Sequence, residues 1–185
     1  DEKSQTLIEV LLNRQVDAFI IAPARNTEKQ ILQLQKRNIP VVLIDRYFPK
    51  IAADSVHINN AQAAFDAVDY LVKRGRKRIA MVSYDTTLAH IEERRIGYKD
   101  ALNKNGLRYN TALVKNISFQ HLEKDVTAKV EELLKIKPSV DAFFFATNTL
   151  AVESLKVINR HNIKIPEDVA IVSFDESEVF DFFYA

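Results

Sequence analysis

Residues 16–46 read VDAFIIAPARNTEKQILQLQKRNIPVVLIDR, and the change of hydrophobic rhythm inside this stretch decides the fold class. Val16 to Ala22 is a short, almost continuous apolar run closed by Pro23, which is the pattern of a strand buried on both faces. Thr27 followed by Gln30 fits a capping box, and Ile31 and Leu34 then recur at helical spacing as far as about Arg37. Pro40 stops that helix. Val41-Val42-Leu43-Ile44 is the next strand, ending at Asp45-Arg46. A helix inserted between two buried strands is a crossover between parallel neighbours.

The same grammar extends in both directions. Leu7, Ile8, Leu11 and Leu12 are spaced as one helical face ahead of the first strand. Ser55 to Ile58 is a shorter strand, after which Asn60 caps a helix striped by Ala64, Ala67, Val68, Leu71 and Val72 and closed at Gly75. Strands are expected again at Arg78–Ser83, Ala112–Ile117, Ala142–Phe145 and Val169–Phe174. The helices between them run from about Glu92 to Asn105, from about Leu122 through Val126, Val130, Leu133 and Leu134, and through Leu150, Ala151, Leu155 and Ile158. The expected class is α/β, with doubly wound parallel sheets flanked by helices. The last apolar stretch, Val179 to Tyr184, carries aromatic rings that need something to pack against.

Composition narrows the function. The 185 residues are 47% hydrophobic and 28% charged, enough for a packed core and wrong for disorder. A net charge of +1 offers no whole-domain attraction for DNA or anionic lipid. With no cysteine there is no thiolate nucleophile, disulfide or cysteine-ligated zinc, which is compatible with a reducing cytoplasm. No apolar run spans a bilayer, so no membrane partner is expected.

In open parallel sheets ligands bind beyond the carboxyl ends of the strands. The residues there are Pro23-Ala24-Arg25, Asp45-Arg46, Asn59-Asn60, Tyr84-Asp85, Ser118-Phe119, Thr147-Asn148 and Asp175-Glu176. Each alone reads more readily as loop or helix-cap polarity than as a ligand contact. As a set they combine carboxylate acceptors, amides, guanidinium forks and aromatic faces, a mixture suited to a polyhydroxylated ligand. Catalytic constellations are missing. Of three glycines, Gly75 and Gly106 are helix ends, so neither a dinucleotide fingerprint nor a phosphate loop can be built. The four histidines are scattered, and only His121 falls in a loop at the ligand edge; no metal site, catalytic residue or cofactor is expected. The run Arg74, Arg76, Lys77, Arg78 reads as a charged helix end.

Three segments in order resemble the effector-binding domain of the LacI/GalR family of bacterial repressors. The most specific is Ile165-Pro166-Glu167-Asp168-Val169-Ala170-Ile171-Val172-Ser173-Phe174-Asp175-Glu176. Arg94-Arg95-Ile96-Gly97-Tyr98 is similar to the family's R-x-x-G-[FY] helix start, and Val16–Ile21 with Ile39–Arg46 fits its first lobe. The resemblance covers nearly the whole chain and implies a two-lobed periplasmic-binding-protein-like fold with a sugar or related metabolite held in the cleft. It divides the chain into a first lobe at 1–58, incomplete, a second lobe at 59–176, and the start of a crossover back to the first lobe at 177–185. Carried over by position, Arg94 forks onto ligand hydroxyls, Asn148 and Asp175 contribute from the second lobe, Asp45 from the first, and Phe119 lies against the sugar face. Thr149, Ser173, Asn59 and Arg76 depart from the usual family residues at their positions, and this bears on which effector is bound.

The resemblance further implies a homodimer in the cytoplasm, with operator DNA bound by a headpiece that these residues do not include. The chain is thus expected to be a piece of a longer polypeptide, and not an enzyme. A periplasmic sugar-binding protein of a transport system shares the fold and is the nearest alternative; an enzyme on a flavodoxin-like sheet is a more distant one. Replacing Arg94 or Asp175 by alanine is expected to abolish ligand binding and spare the fold, both being placed at the cleft.

Overall fold

The structure is a computed structural model and describes residues 2–182. Two compact units divide it. One ends at Asn59 and takes in Leu88–His90; the other holds Asn60–Thr87 and the described residues from Ile91 onward.

The first unit contains α1 (Glu2–Asn13), β1 (Phe19–Ile21), α2 (Glu28–Lys36), β2 (Val41–Ile44) and β3 (Asp54–Val56). Its sheet is parallel in the order β1-β2-β3, with Phe19 beside Val41 and Ile44 beside Val56. Ile8 of α1 and Ile31 and Leu34 of α2 pack on Phe19, Val41 and Leu43, so both helices lie on one face. The opposite face is open: Ile20 is 73% and Val56 68% exposed. Burial on both faces, expected from the apolar run at Val16–Ala22, therefore holds only for alternate residues, because the unit's two helices share a side. The capping box at Thr27 is also corrected. The Thr27 hydroxyl donates to the Ala24 carbonyl at 2.9 Å instead of capping α2, and Oε1 of Gln30 is buried without a partner.

The second unit contains α3 (Asn60–Lys73), β4 (Ile79–Tyr84), α4 (Ala89–Lys104) from Ile91 onward, β5 (Val114–Ile117), α5 (Leu122–Lys135), β6 (Ala142–Phe145), α6 (Asn148–Arg160) and β7 (Ala170–Ser173). Its four strands are parallel in the order β5-β4-β6-β7. Here both faces are covered. Ala80, Val82, Phe143 and Phe145 pack under α5 and α6, and Ile79, Met81, Ala142 and Phe144 under α3 and α4. Burying each of the three phenylalanines of β6 stabilises the unit by about 1.5–3 kcal/mol relative to leaving it exposed. The expected strand at Ala112 starts two residues late, because Thr111–Leu113 is a 3-10 turn capped by the Asn110 side chain. Gly75 and Gly106 have the positive φ expected of helix ends. Of the last apolar stretch, Glu178–Phe182 forms a 3-10 turn that lays Phe180 on the core and leaves Phe182 exposed; Phe183 and Tyr184 lie outside the described residues.

Two polar devices join α3 to α4 and β4. The buried Tyr98 hydroxyl donates to the Ile79 carbonyl at 2.9 Å, and burial pushes its pKa well up. Asp69 accepts from Asn105 Nδ2 at 2.8 Å and from Lys73 Nζ at 2.6 Å, and these two hydrogen bonds, Asn105 first, hold its carboxyl below the ordinary range. A depressed folded pKa contributes stability that is complete above the unfolded value, about 3.9, and is lost as pH falls through the lower folded value. Asp69→Asn is therefore expected to be less stable than the parent at neutral pH, with the gap closing in acid below about pH 4. Urea unfolding of both proteins across that range checks it; a gap independent of pH would contradict it.

Candidate ligand-binding site

The site is assembled where β4 to β7 end, on the carboxyl edge of the second unit's sheet. Arg94 enters it from the second turn of α4 and is only 4% exposed. A guanidinium so buried has to be hydrogen-bonded. Its Nε donates to Asn60 Oδ1 at 2.9 Å, Nη1 donates to the Ala146 carbonyl at 2.6 Å, and the group lies 3.5 Å over the Phe174 ring. Nη1 is also 3.7 Å from Asp175 Oδ2, and Asp175 keeps half of its side chain exposed. Asn148, the first residue of α6, donates from Nδ2 to the Glu176 carbonyl at 3.0 Å and accepts from the Thr149 amide at 2.7 Å.

An aromatic pair completes the rim. Tyr84, at the end of β4, and Phe119, just beyond β5, stack with centroids 4.0 Å apart and planes 9° apart. Burial is the main reason the Tyr84 phenol's pKa is raised, and Thr147 and Thr149, which flank Asn148, act in the opposite direction. Phe119 remains 45% exposed. Tyr84 and Phe119 form the β4–β5 side of this edge, and Asn148, Asp175 and Arg94 the β6–β7 side.

The structure therefore brings together four of the five residues expected at the site: Arg94, Asn148, Asp175 and Phe119. The fifth, Asp45, belongs to the first unit, at the carboxyl end of β2, where it pairs with Arg46 at 3.4 Å. Asp45 and Asp175 share one conformation, with φ of 65° and 69°. Aspartate is among the few residues other than glycine that tolerate this left-handed region, at about 1–2 kcal/mol. Each sheet thus carries a part-exposed acidic residue just beyond the end of a strand.

One expectation is corrected here. Arg94 is a buried structural residue as well as a site residue, because Asn60 Oδ1 and the Ala146 carbonyl accept from it; its replacement is expected to cost stability as well as binding. Asn60, expected as a helix cap, is the first residue of α3, and its side chain also accepts from Arg94 and donates from Nδ2 to Glu93 at 3.1 Å. Position in the strand-end set was the only signal of that role. The basic run is absorbed structurally: Arg76 donates to the Pro166 carbonyl, Arg78 to that of Ser139 at 3.2 Å, and the amides of Lys77 and Arg78 donate to Asp141. His121 precedes α5 and lines a separate shallow depression with Lys124 and Glu131. A groove of about 740 Å³ on the same unit is walled by Leu155, Ile163, Ile171 and Phe180, and none of the rim residues lines it. Asn159, Lys164, Glu167 and Ser173 also line it.

Residues 1–183 match the family model described as periplasmic binding proteins and sugar binding domain of LacI family. The chain belongs to the LacI family. The LacI-family chain is 26% identical over 182 residues to the HTH-type transcriptional repressor CytR of Escherichia coli (strain K12), covering 98% of the chain and 53% of that protein. It is 30% identical over 180 residues to catabolite control protein A of Priestia megaterium, covering 96% and 53%. Among solved structures it is similar to a transcriptional regulator CelR-cellobiose complex, with TM-score 0.81, 28% identity and coverage of 95% and 54%. The LacI-family chain spans about half the length of the curated relatives it matches. Among its described residues no helix is long and apolar enough to cross a membrane.

Proposed function

We propose that this chain is the effector-sensing part of a LacI-type transcription regulator, and that it binds a sugar or related small metabolite without transforming it. One observation carries the reading: a buried arginine, a half-exposed aspartate and an asparagine converge beside a stacked aromatic pair at the carboxyl rim of one sheet. Asp175 accepts ligand hydroxyls, Asn148 accepts and donates, Arg94 donates, and the Phe119 face covers the apolar side of a ring. Asp45 is the contact supplied by the first lobe, which on this reading runs to about Ile58, with the second lobe beginning at Asn59. Effector binding shifts the regulator between states that differ in operator affinity, by as much as its affinity for those states differs. Operator DNA is then bound by a headpiece outside these residues, in a cytoplasmic homodimer. The regulator reading is favoured over a transport protein by the names of the curated relatives, which are transcriptional regulators.

Calorimetric titration of the protein with a panel of mono- and disaccharides, cellobiose included, tests this. Asp175→Asn keeps the left-handed backbone, which asparagine tolerates, and removes the charge. Loss of a charge-assisted hydrogen bond is expected to weaken binding about 10- to 100-fold. Silence across the panel, or undiminished affinity in both Asp175→Asn and Asn148→Ala, rejects the site.

A further inference from the structure

Adjacent residues of α4 reach opposite halves of the rim. Arg94 serves the β6–β7 side through Ala146, Phe174 and Asp175. Arg95 serves the β4–β5 side: Nη2 donates to the Tyr84 carbonyl and, at 3.1 Å, to Asn116 Oδ1, and Nη1 is held by Glu92 at 2.8 Å. Tyr84 and Asn116 are the last residue of β4 and the penultimate residue of β5, and Tyr84 lies in register with Ile117. One guanidinium thus ties two neighbouring strand ends at the point where they carry the Tyr84–Phe119 stack. Its Nε is buried without a partner, a cost borne for the other contacts.

We propose that Arg95 is a positioning residue for the ligand rim: it touches no ligand, and by holding Tyr84 and Asn116 together it sets where the Phe119 ring face stands. The proposal rests on reading the rim as the ligand site. The brace governs selectivity. Ligands that lay a ring face on Phe119 lose affinity when it is cut, and ligands held only by Arg94, Asn148 and Asp175 do not. Lysine cannot replace it, because a single ammonium lacks the fork needed to serve a carbonyl and an amide in fixed directions.

The chain has no tryptophan, so Phe119→Trp places a single indole reporter in the stack. Acrylamide quenching of that indole is compared with Arg95 intact, in Arg95→Gln and Arg95→Lys, and in Glu92→Gln, which keeps Arg95 and loosens its anchor. Quenching is expected to rise most in Arg95→Gln, less in Arg95→Lys and least in Glu92→Gln. Unchanged quenching in the variants that fold overturns the brace. With Phe119 retained, Arg95→Gln is expected to weaken cellobiose binding about two- to tenfold, the worth of one aromatic contact. Undiminished cellobiose affinity despite a loosened indole overturns the positioning role. If the unsubstituted protein binds no sugar of the panel, the ligand reading fails, and the quenching series still decides the brace.

Discussion

Gly97→Ala is expected to destabilise the second unit by about 2–3 kcal/mol, although alanine is the better helix former by about 1 kcal/mol. A Cβ at this position would stand 2.1 Å from the Ala61 carbonyl oxygen, 2.8 Å from the Phe65 amide nitrogen and 2.9 Å from Ala64 Cβ. Two of these are backbone atoms of α3, so no rotamer change relieves the overlap and the helix has to move as a body. Its first residue, Asn60, holds Arg94, so the displacement also loosens the rim. Gly75→Ala is the control. It has open space but a φ of +87°, and about 1–2 kcal/mol of backbone strain is expected with no effect on the rim. Urea denaturation of both variants separates the causes; a Gly97→Ala protein as stable as its parent would falsify the close approach of α3 and α4.

The other large effect is at Arg94. Arg94→Ala removes the guanidinium that donates to Asn60 Oδ1 and to the Ala146 carbonyl in a buried setting, where an unsatisfied group costs about 1–3 kcal/mol. A loss of about 3–5 kcal/mol is expected, together with loss of ligand binding. Arg94→Lys restores the charge but not the two divergent donors, so it recovers only part of the stability. Denaturant midpoints and ligand titrations of the two variants, read side by side, check this. If Arg94→Ala matches its parent within about 0.5 kcal/mol, the buried network has been misread. Because fold and binding fall together at Arg94, Asp175→Asn is the cleaner probe of the ligand.

Much of the architecture was legible because hydrophobic rhythm follows directly from strand and helix geometry. The alternation of apolar runs and stripes located the seven strands of the described residues and the helices between them, with errors confined to their ends. Ends depend on local hydrogen bonds with several near-equal alternatives, as the Thr27 hydroxyl and the 3-10 turn at Thr111–Leu113 illustrate. The rim residues were legible for a related reason. Strand ends in a parallel sheet share one edge, so Tyr84, Phe119, Asn148 and Asp175 could be grouped from strand positions alone.

The jobs of Asn60, Gly97 and Arg95 were not legible. Each acts on a partner remote in sequence, and nothing in local spacing says that Asn60 is the acceptor for Arg94 or that Gly97 faces Ala61. The open side of the first unit's sheet was hidden likewise, since Val16–Ala22 reads as fully buried and only the placement of α1 and α2 on one face shows that it is not. The amino-acid order by itself determined the class of fold, the order of its elements and the edge on which polar groups gather, because those follow from periodicity and from the chirality of crossovers. Only the tertiary structure decided which arginine is buried, which helix approaches which, and how the aromatic pair is held. Those outcomes arise from packing between segments that meet only after the chain has folded.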